Sequence, residues 1–307
     1  MTWDELRAEW ESPGLWLRCH TSGSTGVPKE IMLPKEQVGA SARRTLHFFR
    51  LDAGSRFHSC LSPEYIGGKM MLIRALESGG RFTWEKSSNR PLLAGDGAID
   101  LLCVVPSQME HILDSIGSLP VIRDILIGGS PIPSALRKRI AASPLRCWET
   151  YGMTETASHV AIRRVAYDDV PFTPLPGIKV TDHDGCLAID IAGWKSFETN
   201  DIVEMTSDGG FRILGRKDNV IITGGLKVHP EDVERRLHPF IGSEIMVTGQ
   251  EDAKWGSKIV LIVEGGTQTD EDILKICRRE LHKHEVPKEI LRQPVPRTPN
   301  GKLKRHQ

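Results

Sequence analysis

The stretch that decides the fold is Thr21-Ser-Gly-Ser-Thr-Gly-Val-Pro-Lys29, which follows a short apolar run at residues 15–20. The run predicts a β-strand that opens into a glycine- and hydroxyl-rich loop. Glycines let backbone N–H groups turn toward an anion, hydroxyls add donors, and Lys29 supplies positive charge. The stretch therefore indicates an anion-binding loop, although a flexible turn has a similar composition.

Two common nucleotide-binding loops are disfavoured. Pro28 stands five residues after Gly23, where a Walker A loop needs its second glycine. No GxGxxG pattern follows a predicted strand, which argues against a dinucleotide-dependent dehydrogenase.

Strands and helices alternate on either side of this loop. The pattern predicts strands at residues 15–20, 99–105 and 125–127 and helices at 35–50, 107–116 and 133–142. Such alternation is typical of an α/β sheet. Beyond residue 168 the chain becomes rich in Gly, Asp, Pro and Thr, and the alternating runs at 186–191 and 210–214 predict antiparallel hairpins.

The C-terminal part has a mixed pattern of its own. It predicts helices at residues 230–237 and 270–282 and strands near 244–249 and 258–264. We therefore expect an α/β protein with a large N-terminal α/β domain (1–215), a hinge (216–218) and a small, mobile α+β C-terminal domain (219–307).

Composition excludes several classes of function. The 307 residues carry 40 basic and 40 acidic side chains, which disfavours a nucleic-acid partner. No run approaches 18 apolar residues, and acids stand where a signal peptide would begin. The six cysteines are scattered singly, which fits a reducing compartment and no structural zinc. We expect a cytoplasmic protein without a membrane span.

Three further loops carry candidate binding groups. Gly128-Gly-Ser130 follows a predicted strand and suits close approach by a flat ligand. The segment Tyr151–Glu155 places an aromatic ring, hydroxyls and a carboxylate in one loop. Thr199-Asn-Asp201 offers a carboxylate that suits the vicinal hydroxyls of a ribose, although an ordinary turn aspartate explains Asp201 alone.

Five motifs in this order carry a resemblance: TSGSTGVPK, YGMTETA, TND, GRKDNVIITGGLKVHPEDVE and PRTPNGK. They make the chain, from about residue 18 to about 305, resemble the acyl-adenylate-forming (AMP-binding) superfamily. Within it, TSGSTGVPKEI, YIGGKM, YGMTETASH and GRKDN with its following GG are most similar to a short form of the o-succinylbenzoate–CoA ligases of menaquinone synthesis. The resemblance implies an acid–thiol ligase that forms an acyl-AMP and passes the acyl group to coenzyme A. It also implies that most of the usual N-terminal subdomain is lacking.

The resemblance assigns nucleotide and metal contacts in the first domain. ATP phosphates are expected at Thr21, Ser22, Gly23, Ser24, Thr25, Gly26 and Lys29. Adenine is expected beside Gly128, Gly129 and Ser130, and against Tyr151 and Gly152. Thr154 is expected near the α-phosphate, and Glu155 is expected to bind Mg²⁺.

The same resemblance assigns contacts nearer the C-terminus. Asp201 and Arg216 are expected at the ribose, with Asn200 standing where many members have glycine. Asp218 is expected at the hinge. Gly224 and Gly225 are expected to face the active site when the thioester forms, or to be only a hairpin turn. Lys302 is expected to bridge the attacking carboxylate and the phosphate, against the alternative of a solvated basic tail.

The acyl site is expected to need a cation or hydroxyl for a second, unreacted carboxylate, because a buried unpaired carboxylate is costly. The candidates are Tyr65, Gly67, Lys69, Ser158 and His159, the last also explained as a structural histidine. Alternatives are an enzyme for another aryl or fatty acid that loads coenzyme A or a carrier protein, and a non-catalytic nucleotide-binding relic. The expected partners are small molecules, with a homo-oligomer left open.

Overall fold

The computed structural model describes residues 1–20, 29–93, 97–167, 170–297 and 305. The chain divides into two compact units. The first contains Met1–Lys179 and Asp190–Lys195, and the second contains Val180–Ile189 and Ser196–Gln307. These limits differ from the boundary expected at 216–218, and that hinge stays a prediction.

The first unit is built on a seven-stranded sheet in the order β4-β3-β5-β6-β7-β8-β9. Strands β3 to β7 run parallel to one another, whereas β8 and β9 are antiparallel. Strands β1 and β2 form a separate antiparallel pair, with His20 opposite Glu30. The strands are β1 (Trp16–His20), β2 (Glu30–Pro34), β3 (Arg56–Ser59), β4 (Arg81–Trp84), β5 (Ile99–Val104), β6 (Ile122–Ile127), β7 (Cys147–Met153), β8 (Ser158–Arg164) and β9 (Thr173–Pro174).

Helices cover this sheet and bury its apolar side chains. They are α1 (Trp3–Glu11), α2 (Lys35–Phe49), α3 (Ile66–Ser78), α4 (Pro106–Asp114) and α5 (Ser134–Ala142). One apolar cluster joins β5 and β6 to α4 and α5, with Leu102, Ile112, Ile125 and Ile140 almost fully buried. Crossover helices between parallel strands account for this burial.

The second unit contains a four-stranded sheet in the order β10-β11-β12-β13, with β11, β12 and β13 antiparallel. Its last three-stranded sheet packs against α6 and α7 over a core that includes Val233, Ile259 and Ile273. The elements are β10 (Ile178–His183), β11 (Cys186–Ile191), β12 (Phe197–Met205), β13 (Phe211–Arg216), β14 (Ile221–Thr223), β15 (Leu226–Val228), α6 (Pro230–Leu237), β16 (Glu244–Asp252), β17 (Gly256–Glu264), α7 (Asp270–Glu280) and β18 (Glu289–Arg292).

The predicted α/β class is confirmed, and the helices and strands named above occur within a few residues of their expected limits. Helix α3 was not predicted, because residues Gly68–Ala75 are all buried and it has no polar face to give a helical period. The longest helix in the described part of the chain has 15 residues, and none of the described helices is long and apolar enough to cross a membrane.

Candidate active site

The carboxyl ends of β6 and β7 meet at one edge of the first sheet. The two strands are parallel neighbours with Ile127 opposite Glu149. The Thr150 hydroxyl donates to the Ile127 carbonyl at 3.1 Å, and a Cβ on Gly128 would lie 2.5 Å from that hydroxyl. The glycine turn therefore packs against the strand that carries Tyr151. In open α/β sheets this edge is where ligands bind.

Gly129 and Tyr151 give this edge its shape. Gly129 has a φ of +89°, a conformation that favours glycine, and it is exposed. Tyr151 lies within β7, not in a loop as its sequence context suggested, and its ring centre lies 5.9 Å from that of Phe172. The edge thus presents an open backbone turn next to a strand-held aromatic ring.

Strand β7 ends in a tight turn that holds Glu155 at the surface. A short 3-10 helix over Thr154–Thr156 follows β7, and Glu155 is its exposed middle residue. The Thr156 hydroxyl donates to the Ser158 carbonyl at 2.7 Å. Ala157 and Ser158 then adopt φ values of +51° and +96°, which are unusual for residues other than glycine. The turn reverses the chain into β8 and leaves the Glu155 carboxylate in solvent.

Gly152 is needed for this reversal. It faces His159 across β7 and β8, at a register irregularity. A Cβ on Gly152 would lie 2.3 Å from the Ser158 carbonyl oxygen and 2.5 Å from the His159 Cα. The glycine therefore has a structural role in holding the Thr154–Glu155 turn, beside any contact with a base.

Glu155 fits a magnesium ion brought in by a nucleotide. The described residues contain no group of three or more His, Cys, Asp or Glu side chains that could hold a metal alone. Mg²⁺ usually takes one or two carboxylates, with phosphate oxygens and water completing its six ligands. The single exposed carboxylate of Glu155 is therefore sufficient protein ligand for a Mg²⁺ ion that is also bound by nucleotide phosphates.

A buried arginine, which was not predicted from the sequence, lies behind this turn. Arg74 of α3 is 1% exposed, and its Nη2 lies 3.3 Å from the Ser158 hydroxyl and 3.5 Å from His159 Nδ1. Its Nη1 lies 3.8 Å from the Met71 sulfur and 3.7 Å from the Cys103 sulfur. Its Nε has no hydrogen-bond partner, and no carboxylate among the described residues pairs with the guanidinium. Arginines are almost never fully buried unless paired. The unbroken apolar run on either side of Arg74, Met-Met-Leu-Ile-Arg-Ala-Leu, was the available signal.

His159 is part of the same buried cluster. Its Nε2 lies 3.3 Å from the Thr45 hydroxyl, and its other nitrogen faces Arg74. Burial, reinforced by the Arg74 charge, holds the pKa of His159 well below its usual value. The ring is therefore neutral, so the guanidinium is the cation of this cluster.

The other acyl-site candidates lie along α3. Lys69 is fully buried, and its Nζ contacts the Met1 sulfur at 2.7 Å, beside a cavity of about 290 Å³ that Arg18 and Glu64 also line. Burial lowers the pKa of Lys69. Tyr65 immediately precedes α3 and is 48% exposed. Gly67 lies in the first turn of α3. Arg74, not Lys69, contacts Ser158 and His159.

In the second unit, Asp201 and Arg216 form a cross-strand pair. Asp201 lies inside β12, where a turn had been considered, and faces Arg216 of β13. Arg216 Nη1 lies 2.9 Å from one Asp201 oxygen, and its Nη2 lies 3.1 Å from Asp218. Asn200 donates to both oxygens of Asp218 at 3.2 Å. The structure thus joins both predicted ribose contacts to the predicted hinge residue.

Gly224 and Gly225 form the turn between β14 and β15, with φ values of +55° and +81°. Two consecutive positive φ values are typical of a tight hairpin turn. Gly224 donates its N–H to the Trp255 carbonyl at 2.9 Å. The Trp255 ring is 40% exposed, with Lys254 Nζ at 4.9 Å and Lys288 Nζ at 5.7 Å from its centre. This surface aromatic with two cations was not predicted.

Several predicted site residues lie outside the described part of the chain. They are Thr21, Ser22, Gly23, Ser24, Thr25, Gly26 and Lys302. Lys29 is described, is exposed, and immediately precedes β2. The phosphate loop and the adenylation lysine therefore stay predictions from sequence.

Comparison with known proteins defines the class. The model of the AMP-binding enzyme family matches residues 8–189, and that of the AMP-binding enzyme C-terminal domain matches residues 237–302. The first match covers more than half of the chain, so the protein belongs to the AMP-binding enzyme family. It is an AMP-forming acid–thiol ligase with the fold of the adenylate-forming enzymes.

Particular relatives narrow this description. A 2-succinylbenzoate–CoA ligase of Listeria innocua is 28% identical over 94% of this chain and 68% of its own length. A solved acyl-CoA synthetase (AMP-forming)/AMP-acid ligase II-like protein of Dyadobacter fermentans is 32% identical, with a TM-score of 0.67 over 97% of this chain and 90% of its own. E. coli MenE, solved with a bound analogue of OSB-AMS, is 25% identical, with a TM-score of 0.77 over 94% and 67% of the respective chains.

Proposed function

We propose that this ligase activates o-succinylbenzoate at the expense of ATP, giving an acyl-adenylate and pyrophosphate, and then transfers the acyl group to coenzyme A. The observation that carries the choice of acid is the Arg74 cluster. A buried guanidinium without a carboxylate partner, next to a hydroxyl and a neutral imidazole, is suited to an anion supplied by the substrate.

o-Succinylbenzoate carries two carboxylates, of which one reacts. The unreacted aromatic carboxylate would pair with Arg74 and accept from Ser158, which removes the cost of burying either charge alone. A simple fatty acid would leave Arg74 unpaired in the apolar interior. The likeness to 2-succinylbenzoate–CoA ligases supports the same acid.

The nucleotide would lie at the edge formed by β6 and β7, with adenine between Gly129 and Tyr151. Mg²⁺ held by Glu155 would neutralise the phosphate charge. Asp201 would accept from the ribose hydroxyls, with Arg216 beside it. Adenylation brings two anions together, so oriented cations contribute more than a covalent nucleophile would. Lys29 and Lys302 would supply those charges.

The thioester step would use the residues that follow Asp218, after a rotation of the backbone at that residue. Gly224 and Gly225 would leave a narrow path for the pantetheine arm, since neither has a side chain. Trp255 offers a ring to the coenzyme, and Lys254 and Lys288 offer charge to its phosphates. A carrier-protein acceptor would bring the same arm, so dependence on free coenzyme A separates the two readings.

We propose a cytoplasmic location for the reaction. All six cysteines are free thiols buried in the protein, as suits a reducing compartment.

A substrate panel tests the proposal. The protein is incubated with ATP, Mg²⁺ and coenzyme A, and pyrophosphate release and acyl-CoA mass are measured with o-succinylbenzoate, benzoate and medium-chain fatty acids. We expect o-succinylbenzoyl-CoA with a kcat/KM at least 100-fold above that of the other acids. Preference for a fatty acid would overturn the assignment of the acid, and adenylate formation without acyl-CoA would favour a carrier-protein acceptor.

A further inference from the structure

The side chain of Arg305 is buried against α6. It is 9% exposed, and its two terminal nitrogens donate to the two Glu234 carboxylate oxygens at 2.6 and 2.7 Å. Nη1 also donates to the Val247 carbonyl at 3.0 Å. A bidentate arginine–carboxylate pair fixes direction as well as distance.

The backbone at Arg305 is held as well. Its carbonyl accepts from the Thr248 hydroxyl at 3.3 Å, and Glu234 accepts from the Val247 N–H at 2.6 Å. Helix α6 and strand β16 therefore bind both the side chain and the main chain of Arg305. A buried ion pair is weak grounds for stability, because desolvation offsets the attraction. The geometry points to positional control instead.

The same helix contacts the segment around the predicted hinge. Arg305 Nε lies 3.3 Å from Glu231 Oε1, and that oxygen also accepts from the Asn219 side chain at 2.5 Å. A Cβ on Gly215 would lie 2.7 Å from the other Glu231 oxygen. The Glu231 carboxylate therefore lies next to Gly215 and Asn219, which flank the predicted hinge, and also contacts Arg305.

We propose that Arg305 is a positioning residue for the adenylation lysine, an inference that rests on the role proposed above for Lys302. Two residues lie between these positions, so their Cα atoms are at most about 11 Å apart. Because the covalent chain sets this limit, the anchored Arg305 would restrict how far Lys302 can move from α6 and from the segment after the predicted hinge. A small misplacement of a group that acts on the transition state costs a large factor in rate.

The test separates the two half-reactions in Arg305→Met and Arg305→Lys. Arg236→Met is the matched control. Arg236 lies on α6 itself and forms ion pairs with Asp232 and Glu285, which are not the partners of Arg305. Adenylation is measured with o-succinylbenzoate by hydroxamate trapping, and thioester formation from supplied acyl-adenylate. We expect Arg305→Met to lower the adenylation kcat 10- to 100-fold with the KM for ATP within threefold. Thioester formation should stay within threefold, and Arg305→Lys should recover part of the loss.

A second readout needs no substrate. Trypsin cleavage after Lys302, followed by mass spectrometry, should be at least fivefold faster in Arg305→Met than in the unaltered protein or Arg236→Met. Unchanged cleavage, or equal loss in both half-reactions, overturns the positioning role. If Lys302→Ala abolishes adenylation while Arg305→Met does not, this inference fails and the proposed function stands. If Lys302→Ala retains adenylation, the proposed role of Lys302 fails, and the inference fails with it.

Discussion

The Arg74 guanidinium lies 3.3 Å from the Ser158 hydroxyl, in a cluster where no described carboxylate balances its charge. Helix α3 supplies the arginine, and the turn that exposes Glu155 supplies the serine. The Ser158 hydroxyl proposed to contact the acyl substrate and the Glu155 carboxylate proposed to bind the metal are therefore both placed by one reversal of the chain.

The first prediction concerns this arginine. Arg74→Met should raise the KM for o-succinylbenzoate about 10- to 100-fold, because a charge-assisted hydrogen bond contributes about 1.5–3 kcal/mol. Activity with a plain monocarboxylate should not fall. Arg74→Lys keeps the positive charge but loses the planar guanidinium that can bind both carboxylate oxygens. Its KM for o-succinylbenzoate should therefore lie between those of the unaltered protein and Arg74→Met. Arg43→Met, which removes a surface pair with Glu77, is the control. Unchanged discrimination between the two acids in Arg74→Met would refute the assignment.

The second prediction concerns Lys302. Lys302→Ala should lower the rate of adenylate formation by about 10²–10³, the usual value of one preorganised donor in a transition state. Thioester formation from supplied acyl-adenylate should be spared, since that step needs no cation on the attacking carboxylate. Hydroxamate trapping and acyl-CoA release measure the two steps separately. Lys304→Ala, two residues away, controls for the loss of basic charge, and a similar loss in that variant would speak for a merely basic tail.

The third prediction concerns Gly152. Gly152→Ala should lower the free energy of unfolding by about 1–3 kcal/mol, because the added methyl meets the β8 backbone and forces the strands apart. Adenylation should fall as well, because the same reversal positions Glu155. Gly117→Ala is the control, since a Cβ there meets no atom within 4 Å. Urea denaturation of both variants measures the difference in their free energies of unfolding. Equal values would show that β7 and β8 can accommodate a methyl group at position 152, contrary to the prediction.

The sequence predicted most of the architecture and only part of the site. Helix α2 has a clear helical period and strand β5 is a nearly continuous apolar run, and five motifs in order, not the stretch at residues 21–29 alone, indicated the class of enzyme. Arg74 was not predicted as a site residue. Its proposed role depends on burial against residues distant in sequence, which no local pattern encodes. Asp201 was ambiguous because an Asp in a short polar run fits a turn, and only its partner Arg216 on the next strand explains its place in β12.

The fourth prediction concerns pH. Burial and the neighbouring Arg74 hold the pKa of His159 well below the 6.5 of a free imidazole, and burial also lowers the pKa of His58. Below about pH 6.5 the unfolded chain binds protons that the folded chain does not, so the free energy of unfolding falls with falling pH. The slope is about 1.4 kcal/mol per pH unit for each such histidine.

His159→Gln removes one titrating ring but keeps a hydrogen-bonding side chain. Its loss of stability between pH 7.5 and 5.5 should be smaller than that of the unaltered protein by about 1 kcal/mol, measured by urea denaturation at both values. His183→Gln, which changes an exposed histidine, is the control variant. A His159 variant with an unchanged slope would mean that the ring takes up its proton in the folded state.

The fifth prediction concerns the coenzyme. Trp255→Leu should raise the KM for coenzyme A about tenfold, because an aromatic ring flanked by cations contributes about 1–2 kcal/mol to binding a flat or phosphate-bearing group. The rate of adenylation should not change. Phe240→Leu is a close control, because Phe240 lies in the same unit, is also 40% exposed and has Arg279 over its ring. Steady-state kinetics at saturating ATP measure the effect. Equal KM values for coenzyme A in the two variants would remove the Trp255 ring from the proposed coenzyme site.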